Sequence, residues 1–260
     1  MTPTVYAVGD IHGYSDQLDR ALALIEADGG TDARIVFLGD YTDRGPDSRG
    51  VLERLAAGWA DRRPWTFLLG NHDRMFRRFL GDGTLTDAAI ASGSTWLHPH
   101  LGGAETLRSY GVVAPRDGRL DKDGPAMGGL TLQTTRRRLS EAARDAVPKA
   151  HQAFLAALPT VHETADQVFV HAGIRPGIPL AQQAEDDLVW IRDGFLDDRT
   201  NHGRLVVHGH TAVDRPEHHG NRLNLDTGAG YGRPITAAAI EGRDAWALSE
   251  AGRVPICPNR

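Results

Sequence analysis

The chain has one cysteine, Cys257, and two lysines, Lys122 and Lys149, among 260 residues. A single thiol near the C-terminus excludes an intrachain disulfide and a multi-cysteine zinc site, and it argues against a thiol nucleophile. With lysine nearly absent, cationic work falls to arginine, whose planar fork suits phosphoryl and carboxylate oxygens. The formal net charge of -5 lacks the basic footprint of a nucleic-acid binder. No apolar run approaches a membrane span, and no charged segment leads into an apolar one at the start, so cytoplasmic residence is expected. Solenoid repeats and low-complexity linkers are also missing. With 40% hydrophobic residues, the chain can bury a sizeable core. The expectation is one domain over 1–260, with 81–150 as an insertion or cap.

What is present is a recurrent strand, site loop and helix. The apolar Val5-Tyr6-Ala7-Val8 leads into Gly9-Asp10-Ile11-His12-Gly13, and Leu18, Ala21, Leu22 and Ile25 then recur at helical spacing until Gly29-Gly30. Ser15 is the expected N-cap. Ile35-Val36-Phe37-Leu38 leads into Gly39-Asp40-Tyr41-Thr42-Asp43-Arg44-Gly45 and a helix begun at Pro46. Trp65 to Leu69 leads into Gly70-Asn71-His72-Asp73 and a helix carrying Met75, Phe76, Phe79 and Leu80.

Residues 81–150 are less regular, and short helices are expected near 102–110 and 137–158, the second interrupted at Pro148. Arg136-Arg137-Arg138 reads as a solvated helix face. Strands resume at 167–170, ending in His171-Ala172-Gly173, and at 205–207, ending in His208-Gly209-His210-Thr211. The tail from 221 onwards reads as an antiparallel meander.

Parallel α/β sheets place ligands at the carboxyl ends of their strands. Those ends collect Asp10, His12, Asp40, Asn71, His171 and either His208 or His210; spacing does not separate the last two. Carboxylate, amide and imidazole donors suit Mn²⁺, Fe or Zn²⁺ better than Ca²⁺. Six donors exceed what one open catalytic ion needs, whereas two ions sharing a carboxylate would use them all. Such a pair activates water for in-line displacement at phosphorus, a reaction that also needs cations and a proton donor nearby. Arg44, Asp43 and His72 lie in the right loops.

The ordered set Gly-Asp-Ile-His-Gly, Gly-Asp-Tyr-Thr-Asp-Arg-Gly, Gly-Asn-His-Asp, His-Ala-Gly and Gly-His-Thr resembles the phosphoprotein-phosphatase branch of the calcineurin-like metallophosphoesterases. Trp190-Ile191-Arg192 and Asp226-Thr227-Gly228 are similar to its small phage and bacterial members. The resemblance covers about residues 4–242, broken by 81–150. It implies an α/β fold, a β-sandwich flanked by helices, with a partly helical insertion. It implies one metal held by Asp10, His12 and Asp40, and a second held by Asp40, Asn71, His171 and His210, with Mn²⁺ expected first. His72 would protonate the leaving oxygen, Asp43 would steady its imidazole, and Arg44 and Arg192 would bind phosphoryl oxygens. Tyr231 is a candidate for lining the cleft, core packing being its other reading. His98, His100, His151, His162, His202, His218 and His219 are assigned to no site.

A serine/threonine phosphoprotein phosphatase, with phosphotyrosine or a small phosphoester as further substrates, is the first expectation. The alternative is a bis(5'-nucleosyl)-tetraphosphatase or RNA 5'-cap hydrolase, the one case in which nucleic acid would be a partner. Asp43 favours the first, because symmetrical dinucleoside tetraphosphate hydrolases usually lack an acid there. Asp73 departs from it, since protein phosphatases commonly have Glu. A non-catalytic module would lack a ligand, and none is missing.

Overall fold

A computed structural model describes residues 3–90, 92–115 and 132–259. β1 (Val5–Val8), α1 (Ser15–Gly29), β2 (Ile35–Phe37), α2 (Ser48–Ala60), β3 (Trp65–Phe67) and α3 (Asn71–Asp82) follow one another as three strand–helix units. β2 lies parallel to both β1 and β3, so the three carboxyl ends point the same way. Ser15 is the first helical residue and caps nothing: the N-cap position is Tyr14, which makes no side-chain cap bond, while Ser15 Oγ donates to Asp47 Oδ2 at 2.6 Å. Asp47 caps α2 by accepting the Gly50 N–H at 2.8 Å.

Within 81–150 the described helices are α4 (Gly103–Ser109), α5 (Leu132–Ala146) and the start of α6 (Lys149–Ala157). The second helical pattern thus begins near 132, before the expected 137, and breaks at Pro148, which stands at the N-cap of α6. Arg137 and Arg138 are exposed. β4 (Val161–Glu163), β5 (Gln167–Val170), α7 (Glu185–Trp190), β6 (Leu205–His208), β7 (Glu217–His218) and β8 (Arg222–Asn224) follow, then β9 (Ala237–Glu241), β10 (Asp244–Ser249) and β11 (Gly252–Pro255).

These strands form a six-stranded sheet, ordered β11-β10-β9-β1-β2-β3, and a five-stranded sheet, ordered β4-β5-β6-β8-β7. The tail is therefore split. β9, β10 and β11 form the antiparallel meander, but β8 pairs in parallel with β6 in the other sheet.

Period-two alternation builds the layers. Val5, Ala7, Val36 and Leu38 face Phe169, Val207 and Leu223 between the sheets. Tyr6, Val8, Ile35 and Phe37 face the other way, onto α1, α2 and α3. Segment 92–115 joins that outer layer through Trp96, Leu107 and Tyr110. No helix among the described residues is long and apolar enough to cross a membrane.

Candidate metal centre and active site

Backbone strain marks the strand ends. Among the described residues six non-glycine positions have positive φ, and five of them are His12, Asp40, Asp43, Arg44 and His210. Left-handed backbone at non-glycine residues costs of order 1 kcal/mol or more each and persists where the surroundings over-determine it. Gly70 permits a close approach to the shared loop: a Cβ there would lie 2.2 Å from both Asp40 N and Asp40 Oδ1.

Asp40 sits between two groups of donors. Oxygens and ring nitrogens of Asp40, His171 and His210 lie within 4.8 Å of one another, as do those of Asp40, His12 and His72. Asp40 Oδ2 is 3.6 Å from His12 Nε2, and Oδ1 is 3.4 Å from His171 Nε2. Asp10 Oδ2 stands 3.9 Å from His12 Nε2, and both Asp10 oxygens accept the His210 N–H at 3.2 Å. Asn71 Oδ1 lies 2.9 Å from His171 Nε2 and 2.8 Å from His210 Nδ1.

The six sequence-selected donors thus gather in one buried place, with His72 beside His12 and Asp40 as well. His208 points elsewhere, its ring 5.1 Å from Phe195 and its Nε2 3.3 Å from Arg222 Nη1. Side-chain alternation puts residues two apart on one face only while the strand lasts; β6 ends at His208, and His210 has φ 64°.

The donor chemistry fits cations. His12 Nδ1 is 2.9 Å from the Thr42 carbonyl and His171 Nδ1 is 2.8 Å from the Leu38 carbonyl. Each Nδ1–H donates outward, so each Nε2 lone pair faces the centre, the usual arrangement of imidazole ligands. His171 Nε2 then faces the Asn71 and Asp40 oxygens, acceptor to acceptor, a stable contact only with a proton or metal between them. The Asp40 and Asp10 charges accordingly raise the His171 pKa to about 9 against the opposing effect of burial. Burial pushes the Asp10 carboxyl up, and Asp226 pushes it further. His210 Nε2 is buried without a partner.

Beside this centre lies a cleft of about 340 Å³, lined by Asp40, Arg44, His72, Arg192 and Tyr231 and by Ile90 and Leu101 from beyond α3. Arg44 Nη1 stands 2.9 Å from His12 Nε2, and its Nη2 stands 3.1 Å from His72 Nε2. Its guanidinium is 5.1 Å from the centre of the Tyr231 ring, which is 67% exposed and borders the cleft. Arg192 is exposed at the rim, its Nη2 3.4 Å from the His210 carbonyl.

His72 Nδ1 is 2.7 Å from Asp43 Oδ2. Burial drives the Asp43 carboxyl up to about 8, against donors from Thr106 and Trp96. Burial also drives His72 down to about 3, with Asp40 opposing and Arg44 assisting. Neither group is stable as an isolated ion, so the two share a proton as a unit.

Sequence reasoning missed Trp96 and Thr106, which bond Asp43 from 53 and 63 residues away. It also left Asp73 without a role. That carboxylate accepts the N–H groups of Tyr41 at 3.0 Å, Thr42 at 3.3 Å and Gly70 at 3.2 Å, tying the Asp40 loop to α3. Asp226 lines the cleft too, accepting the Gly228 N–H at 2.8 Å.

The sequence model of the calcineurin-like phosphoesterases matches residues 3–232. The chain belongs to that family. Its members hydrolyse phosphoesters at a dinuclear divalent centre, consistent with the paired donor groups around Asp40.

Similarity to individual family members divides by substrate. The asymmetrical bis(5'-nucleosyl)-tetraphosphatase PrpE of Bacillus subtilis is 26% identical over 258 residues, covering 88% of this chain and 87% of that protein. Serine/threonine-protein phosphatase 1 of Salmonella typhimurium is 38% identical over 94 residues, 36% of this chain and 37% of that one. Matches to symmetrical bis(5'-nucleosyl)-tetraphosphatases of Acidovorax sp. strain JS42, Bordetella parapertussis and Acidovorax ebreus span 23%, 25% and 45% of those proteins' length. Among calcineurin-like folds, the crystal structure of a provisionally assigned diadenosine tetraphosphatase superposes with TM-score 0.62 at 21% identity, covering 100% of this chain and 96% of that one.

Proposed function

We propose that this chain is a metal-dependent phosphomonoesterase acting on phosphoserine and phosphothreonine in proteins. The observation that carries the proposal is the 2.7 Å Asp43–His72 pair, in which Asp43 is buried and His72 lines the cleft with Asp40 and Arg44. A monoester with an alkoxide leaving group needs a proton donor, and this pair supplies one.

In this reading Asp10, His12 and Asp40 hold one ion and Asp40, Asn71, His171 and His210 the other, Mn²⁺ before Fe or Zn²⁺ on donor type. When bound, two such ions lower the pKa of water and neutralise phosphoryl charge. Arg44 and Arg192 hold phosphoryl oxygens from two sides and set the angle of approach. As a water oxygen bonds to phosphorus and the ester phosphorus–oxygen bond breaks, the electron pair of that bond stays on the leaving oxygen, which takes the Nε2 proton of a doubly protonated His72. Asp43 keeps Nδ1 occupied, so Nε2 is the nitrogen that faces the cleft.

A second reading is hydrolysis of dinucleoside polyphosphates, favoured by the match to PrpE along 88% of this chain. Parallel rates on a phosphoserine peptide, p-nitrophenyl phosphate and diadenosine tetraphosphate in Mn²⁺ decide between them. The first reading expects kcat/KM for the peptide to equal or exceed that for the dinucleotide. An advantage of roughly a hundredfold for the dinucleotide, about 2.7 kcal/mol of transition-state binding, transfers the assignment to the second.

A further inference from the structure

The stretch from Trp96 to Thr106 lies outside the strand-end motifs, yet it grips the acid pair. Trp96 Nε1 donates to Asp43 Oδ2 at 2.7 Å, and Thr106 Oγ1 donates to Asp43 Oδ1 at 2.7 Å. Asp43 N–H is itself 2.8 Å from Thr106 Oγ1 and 3.1 Å from Ser48 Oγ, and the two hydroxyls are 3.0 Å apart. The proton count closes. Thr106 gives its one hydroxyl proton to Asp43 Oδ1 and accepts from Asp43 N and Ser48, so no group in the set is left unpaired.

Indole N–H can only donate. Asp43 Oδ2 therefore accepts from Trp96 in every state, and with Oδ1 accepting from Thr106 both oxygens are engaged as acceptors. The proton on the 2.7 Å link to His72 consequently belongs on Nδ1. That keeps Nδ1 turned to Asp43 and leaves Nε2, the nitrogen that carries the transferable proton when the ring is doubly protonated, to the cleft. The same contacts hold Asp43 in its left-handed conformation, φ 74°.

Packing makes the grip rigid. Trp96 is fully buried, its ring 5.5 Å from Phe76 and 5.0 Å from Phe79 on α3, the helix that carries His72. A Cβ at Gly103 would lie 2.3 Å from the indole, so α4 begins directly against it. Trp96 thus bonds Asp43 and packs on the helix that carries His72.

We infer that Trp96 and Thr106 are positioning residues for proton donation by His72, acting through Asp43. The stretch from Trp96 to Thr106, whose Leu101 lines the cleft, then takes part in the reaction. The inference rests on the reading of His72 as the proton donor. It goes beyond that reading by assigning the orientation of the His72 ring to residues 53 and 63 positions from Asp43.

The test is leaving-group dependence in the full chain reconstituted with Mn²⁺. Thr106→Val keeps shape and removes the hydroxyl; Trp96→Phe keeps the ring packing and removes the N–H. General acid catalysis contributes about 10²–10⁴-fold, so each variant is expected to lose roughly tenfold or more in kcat on an alkyl phosphate such as phosphoserine peptide. On p-nitrophenyl phosphate, whose leaving group needs no proton, the loss should stay within about threefold on the same reasoning. KM and metal content should hold, and Thr106→Ser should recover most of the alkyl-phosphate rate.

His72→Asn separates the two layers of the argument. If it shows the leaving-group-selective loss while Thr106→Val and Trp96→Phe, folded by circular dichroism, lose both substrates equally, the two residues are merely structural and the inference is overturned. If His72→Asn itself loses both equally, the proton-donor reading falls and the inference with it.

Discussion

At the scale of single residues, the two histidines of 208 and 210 show how position in a strand decides chemistry. Both are buried, but His210 meets Asn71 and His171 while His208 meets Phe195 and Arg222. Burial first, and then the Arg222 charge, lower the His208 pKa from 6.5 to about 3. The unfolded chain therefore binds a proton at His208 below pH 6.5 that the folded chain refuses. Stability from this residue is fully present above about pH 6.5 and is lost as pH falls towards 3, at about 1.4 kcal/mol per pH unit. Urea midpoints measured from pH 7.5 to 5 should fall less steeply in His208→Gln than in the parent. Parallel slopes would remove His208 from the account.

The same scale explains what was legible at the site. Asp10, His12, Asp40, Asn71 and His171 could be named in advance because each follows an apolar strand, where the chain must turn and present side chains. Trp96 and Thr106 could not. An indole and a hydroxyl in a glycine-rich stretch carry no ligand signature, and their partner Asp43 lies 53 and 63 residues away.

At the scale of elements, the three opening strand–helix units were readable from alternation and from the glycines that end each strand. The destination of β8 was not. β8 is three residues long, Arg222-Leu223-Asn224, and which sheet it and β9 join depends on parallel pairing with β6 and antiparallel pairing with β1, long-range contacts that leave no local pattern. Ser15 misled for a related reason: its hydroxyl is taken by Asp47 of the next unit.

The junction of β2 with α3 is the element-level feature most exposed to test. Gly70 presses on Asp40 so closely that a Cβ would lie 2.2 Å from its backbone nitrogen and its carboxylate. Gly70→Ala should destabilise by about 1–3 kcal/mol through overpacking and displace Asp40. Chemical denaturation and metal titration on the same sample check this: both the midpoint and the metal affinity should drop. An alanine variant with parental stability and affinity would show that the approach has slack.

At the scale of the whole molecule, the sandwich brings two groups of strand ends together. β1, β2 and β3 contribute Asp10, His12, Asp40 and Asn71 from one sheet, and β5 and β6 contribute His171 and His210 from the other. Leu38 and Phe169, in the core between the sheets, lie within a few residues of Asp40 and His171, so packing sets the separation of the two halves. Neither half alone carries both donor groups. Asp40 is the one side chain common to the two.

Metal stoichiometry therefore tests the central claim most directly. After reconstitution with Mn²⁺ and desalting, elemental analysis of the parent chain should give two ions per chain. Asp40→Asn should give fewer than one, with no turnover of p-nitrophenyl phosphate. An Asp40→Asn chain that keeps two ions and parental turnover would contradict the shared-carboxylate centre, as would a parent chain that remains fully active after chelation with no metal bound.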